Sequence, residues 1–358
     1  MTPESTGIRA GLPSKRRYCV VVPYGPDLQG KGYQRRSAQF SLAVENADTV
    51  AVAGRRRSVG DALRTIMRNR RLPLSVLAFQ ARLDFTPPDA DLYVFFTSRC
   101  VPPHFSGPYI IDFVDSISDG YAHRAALGRF PPARWFWRTE ASRLAIYDRG
   151  VLDRALAASA ITERDAASLG PTCQTVSYWP QIADAASPPL SVGAATNVVF
   201  FGLLTYHPNR MAAHWIEQHL VPELGPDIRV RLLGRGGSRT TKRLPHFYGV
   251  YDTLSDVVDD RTVCVVPVVS GAGLQTKVIE AAALGLPLVI TPFVAGGLAT
   301  PLPASIVVAE GPEQFARAVR SMRVTEPDRA ALRAWARDHY SRAVVIANWK
   351  TFLASAGF

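Results

Sequence analysis

Cysteine and histidine are scarce in this sequence, at four and seven of 358 residues. Cys19, Cys100, Cys173 and Cys264 stand far apart with no paired spacing, which excludes a disulfide framework and a paired-cysteine zinc site. Cys19 and Cys264 fall inside apolar runs, where a buried free thiol is expected, and a reducing cytoplasmic setting fits that usage. His104 and His123 are isolated residues read as surface or satisfied side chains, and no His/Cys/Asp cluster has metal-ligand spacing, so no metal is expected. Nor is there the long uncharged apolar run that a membrane-spanning helix needs. Met1 to Ser14 contain Pro, Gly and Ser but no apolar stretch of signal-peptide type, so residues 1–16 are expected to form a loose tail.

The charge that is present is lopsided. The formal net charge is +11, and residues 1–150 hold 22 Lys+Arg against 13 Asp+Glu, which places +9 of it there. A basic half implies a negatively charged neighbour, which could be an anionic membrane surface, a phosphorylated acceptor or a nucleic acid. Its densest part is Ser58 to Arg71, where Val59, Ala62, Leu63, Ile66 and Met67 recur at helical steps. Arg64, Arg68, Arg70 and Arg71 cover most of the remaining surface, Arg55-Arg56-Arg57 precede it, and Pro73 should end it. A solvated basic face and contact with anionic lipid are both open readings. Nucleic-acid binding ranks third, because no nucleic-acid motif accompanies the charge.

A length of 358 residues suits two domains. Tyr18 to Val22, Thr49 to Ala53, Leu92 to Phe96 and Tyr109 to Phe113 are continuous apolar runs, the pattern of parallel strands covered on both faces. A helix is expected from near Gln34, another over Glu140 to Ala157 with Leu144, Tyr147, Val151 and Leu152 toward the core, and a further start at Thr162 with Asp165 at the capping-box position. Residues 181–195, rich in Ala, Ser and Pro, read as a linker. A second α/β series follows, with strands at Asn197 to Phe201, Val230 to Leu233, Val263 to Val266, Pro287 to Thr291 and Ser305 to Val308. Helices are predicted at Pro208 to Leu220, burying Met211, Ala212, Trp215 and Ile216, and at Gln275 to Leu284. The fold class is α/β, with two facing Rossmann-like domains.

Val265 to Thr291 carries the chemistry. A strand ends, a Ser270-Gly271-Ala272-Gly273 turn follows, and a helix starts at once; small residues allow close backbone approach, and first-turn amides suit a diphosphate. Lys277 lies in that first turn, where the helix dipole disfavours a cation and a bound phosphate would reverse the sign. Glu280 is the one acid in an otherwise apolar helix, and the two hydroxyls of a ribose would satisfy it. The plainer alternative is that Lys277 reaches solvent and Glu280 pairs with an arginine. Asp112, Asp115 and Ser116 follow a strand's C-terminal end, where open α/β sheets bind ligands; Asp115 could orient a hydroxyl, or both acids could merely cap turns.

The stretch resembles the donor-site motif of retaining GT-B glycosyltransferases of the group-1 (family 4) type, and is similar to sugar transferases of exosortase-associated exopolysaccharide loci. Phe200-Phe201-Gly202 with Tyr206-His207-Pro208-Asn209, Phe247 to Asp252, Lys31-Gly32 with Arg36-Ser37, and Asp112 to Asp115 with Glu140, Tyr147 and Asp148 agree with it. The resemblance implies domains at 17–180 and 196–338, with a C-terminal helix over 339–358 packing back on the first. It implies metal-independent transfer with retention in the cleft. Glu280 would hold the ribose, with Ser270, Gly271, Ala272, Gly273, Leu274, Gln275 and Lys277 about the phosphates. Gly202 and Asn209 would lie beside the donor, the base against Tyr248 to Tyr251, and Gly30, Lys31 and Gly32 would approach from the other domain. Two departures stand out. Ala272 replaces the first glutamate of the family's Glu-x7-Glu pair, and the usual Arg/Lys pair gives way to His207, Asn209 and Arg210. Lys277, Arg210, Arg235 and Lys31 are the candidates for stabilising the leaving diphosphate, and Lys277, Arg210 and Asp115 are the expected catalytic residues.

The expected function is therefore transfer of a hexosyl-type sugar from a UDP- or GDP-sugar to a lipid-linked saccharide or small-molecule acceptor, with no cofactor beyond the nucleotide-sugar co-substrate. A cytoplasmic enzyme, peripheral at the inner membrane face, suits it. The alternatives are an epimerase-like GT-B enzyme that modifies the nucleotide sugar itself, a transferase acting on a nucleic acid, and a non-catalytic binder.

Overall fold

A computed structural model describes residues 17–358 except 24–25, 28–31, 45–47, 54, 57, 70, 85–87, 129, 181–194, 236–242, 252 and 324. The N-terminal half runs β1 (Arg17–Val22), α1 (Tyr33–Ala43), β2 (Asp48–Ala53), β3 (Arg55–Arg56), α2 (Val59–Arg68), α3 (Leu74–Arg82), β4 (Leu83–Asp84), β5 (Leu92–Phe96), β6 (Tyr109–Asp112), α4 (Ile117–Leu127), α5 (Pro131–Leu152), β7 (Ala157–Ala160), α6 (Glu163–Leu169) and β8 (Cys173–Thr175). The second half runs β9 (Asn197–Phe201), α7 (His207–Trp215), a π turn over Ile216–Leu220, α8 (Val221–Leu224), β10 (Arg229–Leu233), β11 (Phe247–Gly249), β12 (Thr262–Val266), α9 (Thr276–Ala283), β13 (Leu288–Ile290), α10 (Pro292–Ala295), β14 (Ile306–Val308), α11 (Gly311–Ser321), α12 (Glu326–Tyr340) and α13 (Arg342–Ser355).

Two six-stranded sheets result, ordered β2-β1-β5-β6-β7-β8 and β11-β10-β9-β12-β13-β14, and every pairing within them is parallel. Parallel strands need both faces covered, and β1 shows how. Tyr18, Val20 and Val22 face a cluster with Phe40, while Cys19 and Val21 face another with Phe95 and Tyr109. Cys264 is likewise a buried free thiol.

The last helix belongs to the first sheet. Trp349 of α13 is fully buried and meets Phe40 at 5.2 Å and Phe96 at 6.2 Å between ring centroids. Arg36 of α1, also fully buried, lies 4.5 Å over that indole. It donates to Asp112 Oδ2 at 2.8 Å, to Val176 O at 2.8 Å and to Ser177 O at 2.6 Å. Leu332, Trp335 and Tyr340 of α12 pack instead in the second domain's core.

Several expectations need correction. The helix expected from Glu140 begins at Pro131, where proline suits the first turn, and stops at Leu152. The Ala-Ala-Ser-Ala segment beyond it is strand β7; alanine favours helix, but pairing between β6 and β8 overrides that weak preference. Met211 is 38% exposed, pointing away from the core that Ala212 and Ile216 enter. The basic helix ends at Arg68, capped by Asn69, ahead of Pro73. Its apolar stripe is not buried: Val59 is 79%, Leu63 58% and Met67 72% exposed.

Replacing Trp349 with alanine is expected to cost about 3–5 kcal/mol, the usual penalty for emptying a buried aromatic site. Urea denaturation followed by far-ultraviolet circular dichroism would measure it, and a loss under 1 kcal/mol, on the order of a surface substitution, would contradict the placement of α13.

Candidate active site

The C-terminal ends of both sheets open onto one cleft, the position where open α/β sheets place ligands. On the second domain's side, β12 runs into the 270–273 turn and then α9. Gly271 and Gly273 have φ of 125° and 74°, which L side chains rarely adopt. Space is tight as well: a Cβ on Gly271 would stand 3.3 Å from Tyr206 Oη and one on Gly273 would stand 3.2 Å from Asp115 Cβ, so each neighbour would have to give way. No side chain caps the start of α9.

Lys277 does not reach solvent. It is 6% exposed, and its Nζ donates to Asn209 Oδ1 at 2.5 Å and sits 4.4 Å from the Phe200 ring centroid. Burial pulls its pKa down to about 8, and the nearby Cys264 and Glu280 offset only part of that. Asn209 is itself held by donating to Leu203 O at 3.0 Å. Beside them a Cβ on Gly202 would lie 3.2 Å from Lys277 Nζ, and one on Gly234 would lie 1.9 Å from Gly202 O. The glycines thus let two strand ends and a cation converge. Glu280, one turn along α9, is half-buried. Burial raises its pKa, with Arg35 of the facing domain as the first opposing influence and Lys277 as the second.

On the first domain's side, Gly32 and Arg35 line a cavity of about 280 Å³ together with Asp115, Tyr178, Leu274 and Thr276. Asp115 projects from Val114, whose φ of 68° is an outlier for a β-branched residue and stores on the order of 1–3 kcal/mol. Its Oδ1 has no hydrogen-bond partner among the described residues, and burial, reinforced by the Asp165 charge, pushes its pKa up to about 7. Asp112 is structural, being the Arg36 partner.

The two domains touch directly at the turn. Asp165 Oδ2 accepts from the Gly273 N–H at 3.1 Å. Next to it Arg164 donates to Phe293 O at 2.7 Å and lies 4.4 Å over that ring. The Gly273 amide, expected to face a phosphate, is therefore already engaged by a carboxylate of the facing domain.

The other expected residues divide. Gly271 and Ala272 line a second cavity with Ser270 and His207, and Tyr251 packs edge-on against Phe201 at 6.2 Å. Arg210 is half-buried close to His207. Arg235 is exposed, and Tyr248 is 58% exposed on the edge strand with Arg231 5.4 Å over its ring. Gly30 and Lys31 lie outside the described residues. Sequence reasoning missed Arg35, Asp165 and Tyr178; only Arg35, three residues past Gly32, had a local cue. Among the described residues no three His, Cys, Asp or Glu side chains are grouped to hold a metal.

Residues 195–323, from β9 through α11, match the family model described as Glycosyl transferases group 1. The whole chain has a GT-B glycosyltransferase fold. It is similar to a sucrose-phosphate synthase from Thermosynechococcus elongatus (TM-score 0.57, 13% identity, covering 96% of this chain and 98% of that one). It is also similar to Anabaena HepE in complex with UDP and glucose (0.57, 10%, 95% and 100%) and to an α,α-trehalose-phosphate synthase (UDP-forming) from Burkholderia vietnamiensis (0.57, 12%, 96% and 97%). No curated protein matches it by sequence. The enzyme class is glycosyltransferase.

The Asp115 proton has a consequence for stability. Between about pH 4 and 7 the folded protein retains a proton that the unfolded chain has lost, so this group makes stability fall as pH rises through that window. Asp115→Asn is expected to flatten that slope and to be more stable than the parent at pH 8; urea midpoints at pH 5 and 8 that shift equally would refute the assignment.

Proposed function

We propose that the chain is a metal-independent retaining glycosyltransferase that takes a hexosyl group from a UDP- or GDP-sugar bound at the start of α9. The observation that carries this reading is the buried Lys277 ammonium. Its hydrogen bond goes to Asn209, and among the described residues no carboxylate pairs with it directly, Glu280 acting on it only from one turn away; it sits at the end of β9, beside Gly202. Burying an ammonium is costly without a counter-charge, and a diphosphate would supply one. Glu280 lies one turn further on, within reach of Arg35 and Tyr251, and its carboxylate can accept from both ribose hydroxyls.

In this scheme the bond to the anomeric carbon breaks as negative charge gathers on the leaving phosphate. Lys277 stabilises that charge, Arg210 adds to the field, and Asp115 orients a sugar or acceptor hydroxyl. Donor entry requires Asp165 to release the Gly273 amide. The UDP named for two of the structural neighbours agrees with a uridine nucleotide here.

Stabilisation by mass action makes a thermal-shift series against UDP, GDP and ADP the direct test. One nucleotide is expected to raise the melting temperature, and Glu280→Ala to weaken its affinity by about tenfold or more, given two lost charge-assisted hydrogen bonds. Unchanged affinity in that variant would remove the site.

A peripheral membrane contact is the second part of the proposal. The apolar stripe of α2 is exposed, Arg64 and Arg68 flank it on the same helix, and Arg71 lies just beyond, the arrangement of an interfacial helix. Changing Arg64, Arg68 and Arg71 together to Gln is expected to reduce sedimentation with vesicles containing phosphatidylglycerol; equal sedimentation would leave α2 a plain solvated face.

A further inference from the structure

Next to the Arg35 side of the cleft lies a second cavity of about 230 Å³, bounded by α4 and by the 206–208 and 270–272 segments. Asp115 lies between the two cavities and lines both. Glu280 feels Arg35 and Thr276 and in turn acts on Tyr178, and these three residues line the first cavity. On the donor reading above, the nucleotide takes the first cavity and the second is left for the acceptor.

The lining of this second cavity is basic. Arg99 and Arg124 both border it, and among the described residues neither makes an ion pair. Arg99 is placed by uncharged groups, donating to Tyr33 Oη at 2.5 Å and lying 5.0 Å from the Phe79 ring centroid. Arg124 lies 3.9 Å over the Trp137 ring. Stacking fixes the Arg124 guanidinium while leaving its N–H edges available for an anion, and Arg99, with Nη2 on Tyr33 and Nε on Thr97 Oγ1 at 3.4 Å, keeps Nη1 for one. Arg36 is the contrast, since it uses its edges on Asp112 and two carbonyls. Asp115 is the one acid among the described residues of the lining, and burial pushes its pKa up to about 7. His207 is pushed toward its neutral form, first by burial and then by Arg124 and Arg210, so the local field is positive.

We propose that the acceptor carries a phosphate or pyrophosphate group, bound in this cavity by Arg99 and Arg124. The proposal rests on the donor reading above, which places the nucleotide on the other side of Asp115. A soluble sugar phosphate and a lipid-linked pyrophosphoryl sugar present the same chemistry to the two guanidinium groups.

The test uses the full chain saturated with the nucleotide chosen by thermal shift. Isothermal titration would compare a hexose 6-phosphate, the same hexose without phosphate, and a short-chain alkyl pyrophosphoryl hexose. A phosphorylated probe is expected to bind at least tenfold more tightly than the plain hexose, and the tighter of the two names the source. Arg124 is exposed, so Arg124→Gln should fold normally; it is expected to weaken the phosphorylated probe by about 10- to 100-fold, as for one lost charge-assisted contact. Nucleotide binding should be unchanged in that variant, and Arg99→Gln should weaken the same probe. Equal binding of hexose and hexose 6-phosphate would overturn the proposal, as would phosphate binding indifferent to both substitutions. If the parent protein binds no nucleotide, the donor reading falls by itself. The phosphate titration is then run without nucleotide, where dependence on Arg124 supports the anion pocket and indifference overturns it.

Discussion

The structure hangs on one buried guanidinium. Arg36 ties α1 to the end of β6 through Asp112, to the segment after β8 through two carbonyls, and to α13 through the Trp349 indole. These elements are separated by most of the chain, and no other contact described above joins all of them. Removing one partner of such a pair strands the other in a medium that solvates it poorly, at a cost of about 3–5 kcal/mol. The pair also fixes the start of α1, and so the positions of Gly32 and Arg35 at the cleft.

The second domain uses space as the first uses charge. Gly202 and Gly234 let two strand ends meet with no room for a side chain, and the Lys277 ammonium occupies what room remains. An ordinary lysine would point outward from such a helix. Its retention under Phe200, with an amide oxygen as its hydrogen-bond acceptor, leaves the charge only partly offset by the neighbouring Cys264 and Glu280.

The fold was legible where strands were long and apolar. Leu92 to Phe96 and Asn197 to Phe201 read directly, because short runs dominated by Val, Phe, Leu and Tyr suit few other conformations. Ala157 to Ala160 did not, since small residues carry no period and only the neighbouring strands define their state. At the site, the 270–280 segment stood out through its glycines and its misplaced charges. Asp165, Tyr178, Arg99 and Arg124 were hidden because each reaches the cleft from a separate element, and nothing local marks a side chain that is held by rings or by another domain's amide. The exposure of α2 was also out of sequence's reach, because a helical stripe looks the same whether it meets a core or a solvent boundary.

The chain passes between the domains twice, once between Pro180 and Ala195 and once at Ser341, the single residue that separates α12 in one core from α13 in the other. One of the two joints is thus a single residue long, set between helices that are each anchored in a different core. Any separation of the halves that lifts Asp165 off Gly273 therefore bears directly on the junction of α12 and α13.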